Sequence, residues 1–248
     1  INDLSRILHE AFYVASSGRP GPVLVDIPKD IQFQTGTYIG PDTIKHKSYR
    51  PKLKANIDNI DDALKLIAEA ERPIFYTGGG VINSGNAAVQ LLREFVRLTG
   101  FPITSTLQGL GAFPGDDTQF VGMLGMHGTY ESNMAMNKCD LMINIGARFD
   151  DRITGKIDEF SPNSKKIHID IDPSSINKVV DVDVALVGDV AHVLEDAIKL
   201  WKSKVYKVNK SQVKDWWKQI DKWKERDSLG FNEDKKTIKP QHAIQRLY

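Results

Sequence analysis

Along residues 54–205, apolar positions fall alternately into short continuous runs and into runs with helical spacing. The short runs predict buried strands, and the helical spacing predicts amphipathic helices. Predicted strands cover 73–77, 101–105, 141–145, 166–170 and 184–187, and predicted helices cover 57–70, 86–98, 128–138 and 190–201. This alternation predicts an α/β fold, with a central doubly wound parallel sheet and helices on both faces.

The flanking segments predict only partial folds. Residues 1–35 predict a helix, a turn rich in Gly and Pro, and a short buried strand over 23–27. Residues 36–53 are polar and typical of a linker, and residues 206–248 predict a further helix. A single helix and strand cannot enclose a core, so we expect a fragment of a longer polypeptide, with partial neighbouring domains on both sides of 54–205.

Residues 206–248 place three tryptophans among many lysines. A spacing of seven puts Trp216 and Trp223 on one helical face, with Trp217 to the side. Interleaved acidic residues make a basic helix for nucleic acid or membrane the weaker interpretation. We expect the tryptophans to pack on a neighbouring domain.

Composition adds few constraints. A net charge of +1 with 41% hydrophobic residues is that of an ordinary globular protein, without a global attraction to nucleic acid or membrane. No apolar run reaches membrane-spanning length. The single cysteine, Cys139, excludes an intrachain disulfide and suits a reducing compartment, so we expect a cytoplasmic protein.

The segment 140–155, DLMINIGARFDDRITG, carries the densest candidate chemistry. A buried strand is followed by Gly146, and then by Arg148, Asp150, Asp151 and Arg152. Ligands of parallel sheets lie beyond the carboxyl ends of the strands, where arginines favour an anionic ligand. A salt-bridged surface turn explains the same residues equally well.

Other strand ends also carry glycine or polar groups. Gly78-Gly79-Gly80 follows one strand, and the loops 106–109 and 123–128 are glycine-rich, the second around His127. His127 could transfer a proton, although a structural histidine satisfied by the protein is the simpler expectation. Asp170 and Asp172 end another strand, and Asp189 is a good N-cap. Together these ends predict an extended dinucleotide, FAD or NAD, and no metal site.

Seven motifs in order closely resemble the acetolactate synthase (acetohydroxyacid synthase) large-subunit family: GRPGPVLVDIPKDIQ, TGGG, STLQGLGAFPGDD, MLGMHG, GARFDDRITGK, HIDIDPSSINK and GDV. This is a thiamine-diphosphate enzyme of branched-chain amino-acid biosynthesis, and the resemblance covers essentially the whole chain. It implies that 1–35 ends a pyrimidine-binding domain, that 54–205 binds FAD, and that 206–248 is a linker helix and the start of a pyrophosphate-binding domain.

The resemblance also implies the site residues. Lys29 matches a lysine at the mouth of the substrate channel, and no catalytic residue is expected in this stretch. The positions matching FAD contacts are Arg19, Gly78, Gly79, Gly80, Thr106, Leu107, Leu124, Gly125, Met126, His127, Gly146, Arg148, Asp150, Arg152, Ile153, Asp170, Ile171, Gly188, Asp189 and Val190.

For the intact enzyme, the resemblance implies thiamine diphosphate, Mg²⁺, pyruvate and 2-oxobutyrate as ligands, a homodimer or higher oligomer, and a regulatory small subunit. The thiamine-activating glutamate of the family would precede residue 1 and its magnesium motif would follow Tyr248, so we expect no synthase activity from this stretch alone. Other interpretations remain open: glyoxylate carboligase, pyruvate oxidase, a non-catalytic nucleotide-binding module, or a structural domain with an empty cleft.

Overall fold

The computed structural model describes residues 1–38, 40, 46–233 and 236–248. Its strands are β1 (Pro73–Thr77), β2 (Ile103–Ser105), β3 (Phe120–Met123), β4 (Leu141–Ile145), β5 (Lys165–Asp170) and β6 (Val184–Val187). Its helices are α1 (Leu4–Ser16), α2 (Lys29–Gln32), α3 (Ile57–Glu69), α4 (Gly79–Asn83), α5 (Asn86–Thr99), α6 (Tyr130–Lys138), α7 (Asp151–Thr154), α8 (Val190–Ser203), α9 (Lys210–Lys224) and α10 (Pro240–Leu247). Part of the predicted linker, 39 and 41–45, and residues 234–235 of the last predicted segment lie outside the described residues.

The six strands form one parallel sheet in the order β3-β2-β1-β4-β5-β6. The chain first builds outward from β1 to β3, and then returns to the other side of β1 to build β4, β5 and β6. This is a doubly wound order, in which the strand order reverses between β1 and β4. The predicted fold class is therefore confirmed.

The two faces of the sheet are covered by different helices. Phe75 of β1 packs into a core with α3, α5 and α8, whereas its neighbours Ile74 and Tyr76 pack into a second core with α6 and α9. This alternation follows from the two-residue period of a strand. Because both faces are covered, the central strands are continuously apolar or carry polar groups with internal partners.

The prediction of a buried strand over 23–27 is wrong. These residues form no regular secondary structure, and Leu24 is 88% exposed. A strand needs a neighbour for its backbone hydrogen bonds, and the sheet of the described residues contains only β1 to β6. The helix preceding it is present as α1, although none of its side chains is fully buried.

The tryptophans of helix α9 pack against residues 54–205, as expected of a helix that packs on a neighbouring domain. The Trp216 indole N–H donates to the Pro73 carbonyl oxygen at 3.0 Å, and the ring meets Trp223 edge-on at 5.5 Å. The Trp217 indole N–H donates to the Gly100 carbonyl oxygen at 2.9 Å. These contacts lie at the amino ends of β1 and β2. None of the helices in the described ranges is long and apolar enough to cross a membrane.

Candidate functional site

A cleft of about 640 Å³ opens at the carboxyl end of the sheet. The loops after β1, β2, β3, β4 and β5 line it, together with the start of α8 and residues 18–20 of the N-terminal segment. Its place beside the reversal of strand order is where doubly wound sheets bind ligands, and its volume lies in the range typical of small-molecule sites.

The floor of the cleft is a close crossing of two glycine turns. The Gly80 N–H donates to the Gly146 carbonyl oxygen at 2.9 Å, and the Gly78 N–H donates to that of Ile145 at 3.0 Å. A Cβ atom on Gly80 would lie 2.7 Å from the Gly146 Cα atom, and one on Gly78 would collide with the Gly146 carbonyl oxygen. Gly78 and Gly80 are therefore required by backbone packing, whatever the cleft binds.

The charged loop after β4 is both a salt-bridged turn and part of the cleft lining. Arg148 pairs with Asp150 at 3.0 Å and Arg152 pairs with Asp151 at 3.1 Å, so the salt bridges are present. Arg148, Asp150 and Arg152 also line the cleft, whereas Asp151 does not. The Arg148 and Asp150 side chains are 55% and 50% exposed, and such pairs contribute only about 0–1 kcal/mol. Arg148 can therefore exchange its partner for an anionic ligand at little cost.

One wall of the cleft is apolar. Met123, Leu124, Met126 and Ile153 line this side of the cleft, and Met126 is 68% exposed. His127 lies next to them and is also exposed. Among the described residues it has no hydrogen-bond partner, which contradicts the expectation of a histidine satisfied by the protein. The wall suits the face of a flat ring.

The end of β5 contributes carboxylates. Asp170 is buried, lines the cleft, and accepts a hydrogen bond from the Asp172 N–H at 2.8 Å. Asp172 pairs with Arg19 at 3.3 Å, which links the N-terminal segment to the sheet. Although partial burial opposes it, hydrogen bonds from Ser174 and Arg19 hold the pKa of Asp172 below its usual value. Arg19 is thereby placed at the cleft mouth.

Asp189 begins α8 as the N-cap predicted from its position. Its side chain accepts from the Ala191 N–H at 3.0 Å and from the Ser84 hydroxyl at 2.8 and 2.9 Å. Ser84 comes from the turn after α4, so one carboxylate joins two elements bordering the cleft. This N-cap uses its hydrogen-bonding capacity within the protein.

Residues 60–197 match the family model described as "Thiamine pyrophosphate enzyme, central domain", and this match covers more than half of the chain. The chain belongs to that family. It is also similar over nearly its whole length to curated proteins named acetolactate synthase. Identity is 45% to the large subunit of Buchnera aphidicola (subsp. Schizaphis graminum) and 41% to the isozyme 3 large subunit of Escherichia coli K12, with 99% of this chain and 43% of each relative covered. It is 44% to acetolactate synthase 1, chloroplastic, of Oryza sativa subsp. japonica, covering 100% of this chain and 38% of the relative. The chain thus spans less than half the length of these relatives.

In this member of the family, the structure brings the predicted FAD contacts to one cleft. All of them line it except Gly125 and Gly188. Gly125 has φ +90°, and its N–H and carbonyl groups are hydrogen-bonded to the Asn133 side chain. A Cβ atom on Gly188 would lie 3.0 Å from the Ala55 nitrogen, so Gly188 packs closely against that residue. Both serve the turns that shape the cleft. Lys29 lies at the start of α2, outside the cleft lining.

The structure adds lining residues beyond the predicted set. They are Gly18, Pro20, Ile82, Asn83, Ser84, Gln108, Met123 and Ala147. Gln108, Met123 and Ala147 adjoin predicted positions, so their motifs signalled them. Ile82 to Ser84 carry no such signal, because their approach depends on the turn between α4 and α5. Within the described ranges, no three His, Cys, Asp or Glu side chains are grouped to hold a metal ion.

Proposed function

We propose that this chain is the FAD-binding portion of an acetolactate synthase large subunit. The observation that carries the proposal is a cleft at the carboxyl end of the sheet that is lined by nearly every position that the resemblance assigns to FAD. The 41–45% identity to proteins of that name, over almost the whole chain, supports it.

FAD fits the residues that are present. Arg148 and Arg152 offer guanidinium groups for a pyrophosphate, and the buried Asp170 carboxylate offers an acceptor for ribose hydroxyls. The wall formed by Leu124 and Met126 offers an apolar surface for the flavin ring. FAD would have no redox role in the main reaction, so the part of the cleft residues would be to bind and orient the cofactor.

For the whole protein, we propose the condensation of two pyruvates to 2-acetolactate with release of CO₂, or of pyruvate with 2-oxobutyrate. As the resemblance implies, thiamine diphosphate and Mg²⁺ would be held by residues outside this chain. A homodimer or higher oligomer, a regulatory small subunit and a cytoplasmic location belong to the same proposal. Lys29 would lie near the substrate channel of the assembled enzyme.

The first experiment measures cofactor binding by the 248-residue chain. After incubation with FAD and gel filtration, we expect the protein peak to retain flavin absorbance, and titration calorimetry to give saturable binding. NAD serves as the competing ligand, because the same strand order also serves NAD proteins. A colourless protein that gives no heat with FAD contradicts the proposal, and binding of NAD alone would favour a nucleotide-binding module.

The second experiment tests the activity of the full-length protein. With pyruvate, thiamine diphosphate and Mg²⁺ we expect 2-acetolactate, and we expect none from the 248-residue chain. A full-length protein that condenses glyoxylate, or that oxidises pyruvate, without forming acetolactate would replace the proposal with glyoxylate carboligase or pyruvate oxidase. Acetolactate formed by the 248-residue chain would overturn the expectation that it is inactive alone.

A further inference from the structure

On β1, β4 and β5, three buried polar side chains lie side by side in a row across the sheet, which the buried Thr104 continues on β2. Tyr76 of β1 is in register with Asn144 of β4, and Asn144 is in register with His168 of β5. All three residues are 0% exposed. Buried polar groups lower stability unless they are hydrogen-bonded, and apolar residues would fill these positions without that requirement. The row therefore calls for a reason other than packing.

Tyr76, Asn144 and His168 each bond to the backbone of the turn that carries Arg148, whereas the Thr104 hydroxyl donates to the Gly122 carbonyl oxygen. The Asn144 amide donates to the Ala147 carbonyl oxygen at 2.9 Å and accepts from the Ala147 N–H at 3.1 Å. His168 Nε2 lies 3.0 Å from the same carbonyl oxygen, and the Tyr76 hydroxyl donates to the Arg148 carbonyl oxygen at 2.9 Å.

The protonation states suit this role. Burial holds the pKa of the Tyr76 hydroxyl above its usual value, so it remains a donor. The Ala147 carbonyl oxygen can only accept, so His168 Nε2 carries a proton. His168 Nδ1 has no hydrogen-bond partner, and the ring packs edge-on against Phe149. The imidazole makes one hydrogen bond, to the turn, and its Nε2 also lies 3.6 Å from the Asp170 carboxylate at the end of β5.

We propose that Tyr76, Asn144 and His168 are positioning residues that fix the turn 146–148 and thereby aim the Arg148 guanidinium into the cleft. The inference rests on the proposed function, since it concerns how the same cleft holds its anionic ligand. The Arg148 side chain is half exposed and long, so its placement depends on the backbone from which it projects. A fixed backbone reduces the ordering that accompanies binding.

The test compares His168→Leu with His168→Gln. Glutamine keeps a donor near the position of Nε2, whereas leucine fills similar space without one. We expect His168→Leu to raise the Kd for FAD roughly tenfold, and His168→Gln to stay within about twofold of the wild type. If His168 served only the stability of the core, His168→Gln would raise the Kd for FAD more than His168→Leu, because leucine is the better core residue. Tyr76→Phe removes one oxygen atom and should raise the Kd about threefold or more.

Tyr206→Phe is the matched control, because the Tyr206 hydroxyl bonds to Asp61 at 2.8 Å, outside the cleft lining. It should leave the Kd for FAD unchanged. Hydrogen exchange of the 146–149 segment in the ligand-free chain supplies a second measurement, and should be faster in His168→Leu and Tyr76→Phe than in His168→Gln.

The two measurements separate the possible failures. If the wild type binds no FAD, the proposed function fails, while exchange of 146–149 still tests whether the row holds the turn. If the wild type binds FAD, and His168→Leu and Tyr76→Phe match it in both affinity and exchange, the positioning role is overturned. Should His168→Leu fail to fold, Tyr76→Phe decides the matter, because only its hydroxyl is lost.

Discussion

Replacement of Arg148 by alanine tests the assignment of the charged loop most directly. A charge-assisted hydrogen bond to a phosphate is worth about 1.5–3 kcal/mol. The ligand must share or displace the half-exposed pair with Asp150, which is worth about 0–1 kcal/mol. The remaining contribution of about 0.5–3 kcal/mol corresponds to a factor of roughly 2–150 in Kd. Alanine also leaves the Asp150 carboxylate uncompensated, which adds to the loss.

Arg97 provides a matched control for this change. Its side chain is 56% exposed against 55% for Arg148, and it also pairs with one aspartate, Asp117, at 3.3 Å. It does not line the cleft. Calorimetry at low ionic strength should show weaker FAD binding for Arg148→Ala and wild-type binding for Arg97→Ala.

Salt concentration gives a further check on the same reasoning. Because the Arg148 side chain is half exposed, the difference between wild type and Arg148→Ala should shrink as ionic strength rises. Equal FAD affinity in wild type and Arg148→Ala at low salt would refute the assignment of Arg148. Equal losses in the Arg148 and Arg97 variants would show that a general charge effect, and not a contact in the cleft, governs binding.

Four further predictions concern the fold. Gly80→Ala should lower the free energy of unfolding by about 1–3 kcal/mol through a backbone clash, while Gly115→Ala, with open space around it, should change it by less than about 0.5 kcal/mol in urea denaturation. Trp216→Phe loses an indole hydrogen bond and should lower the free energy of unfolding by about 1–3 kcal/mol. It should leave FAD affinity unaltered, because Trp216 lies at the amino end of β1 and the cleft lies at the carboxyl end. A changed affinity would contradict this. Hydrogen bonds from a lysine and a tyrosine lower the pKa of Asp61 to about 2, below its value in the unfolded chain, so its contribution is present above about pH 4 and is lost as the pH falls toward 2. The denaturation midpoints of wild type and Asp61→Asn should converge over that interval, and a constant difference would argue against it. Burial raises the pKa of the Cys139 thiol to about 11, so iodoacetamide should label it only after unfolding, as followed by mass spectrometry; rapid labelling of the native chain would contradict this.

The predictability of each strand from sequence follows its surroundings. The bounds of β1, β4 and β6 agree with the runs 73–77, 141–145 and 184–187. Strands β1 and β4 are buried throughout, as expected of continuous apolar runs in a parallel sheet, and β6, although a partly buried edge strand, is an uninterrupted run of Val, Ala and Leu. Strand β3 was not predicted. It is an edge strand, only partly buried, with Gly122 at φ +93° and an irregular register against β2, so its apolar signal is weak.

The apolar run 23–27 was predicted to be a strand but forms none, since local composition carries no information about whether a partner strand exists. In the site, the charged loop and the glycines were visible as motifs, but their reasons were not. The crossing of Gly78 and Gly80 with Gly146 depends on strands far apart in the chain. The alignment of Tyr76 with His168 depends on inter-strand register, which no local pattern specifies.

That crossing of glycine turns also bears on the order in which the molecule assembles. The first turn follows β1 and the second follows β4, and strands β2 and β3 and helices α4, α5 and α6 lie between β1 and β4 in the chain. Such non-local contacts form only after the intervening loop entropy has been overcome. The cleft floor therefore does not exist in a chain where β1 and β2 have paired but β4 is still unattached. A cofactor bound on that floor recognises only the completed sheet, so it stabilises the folded state by an amount that rises with the ratio of its free concentration to its Kd.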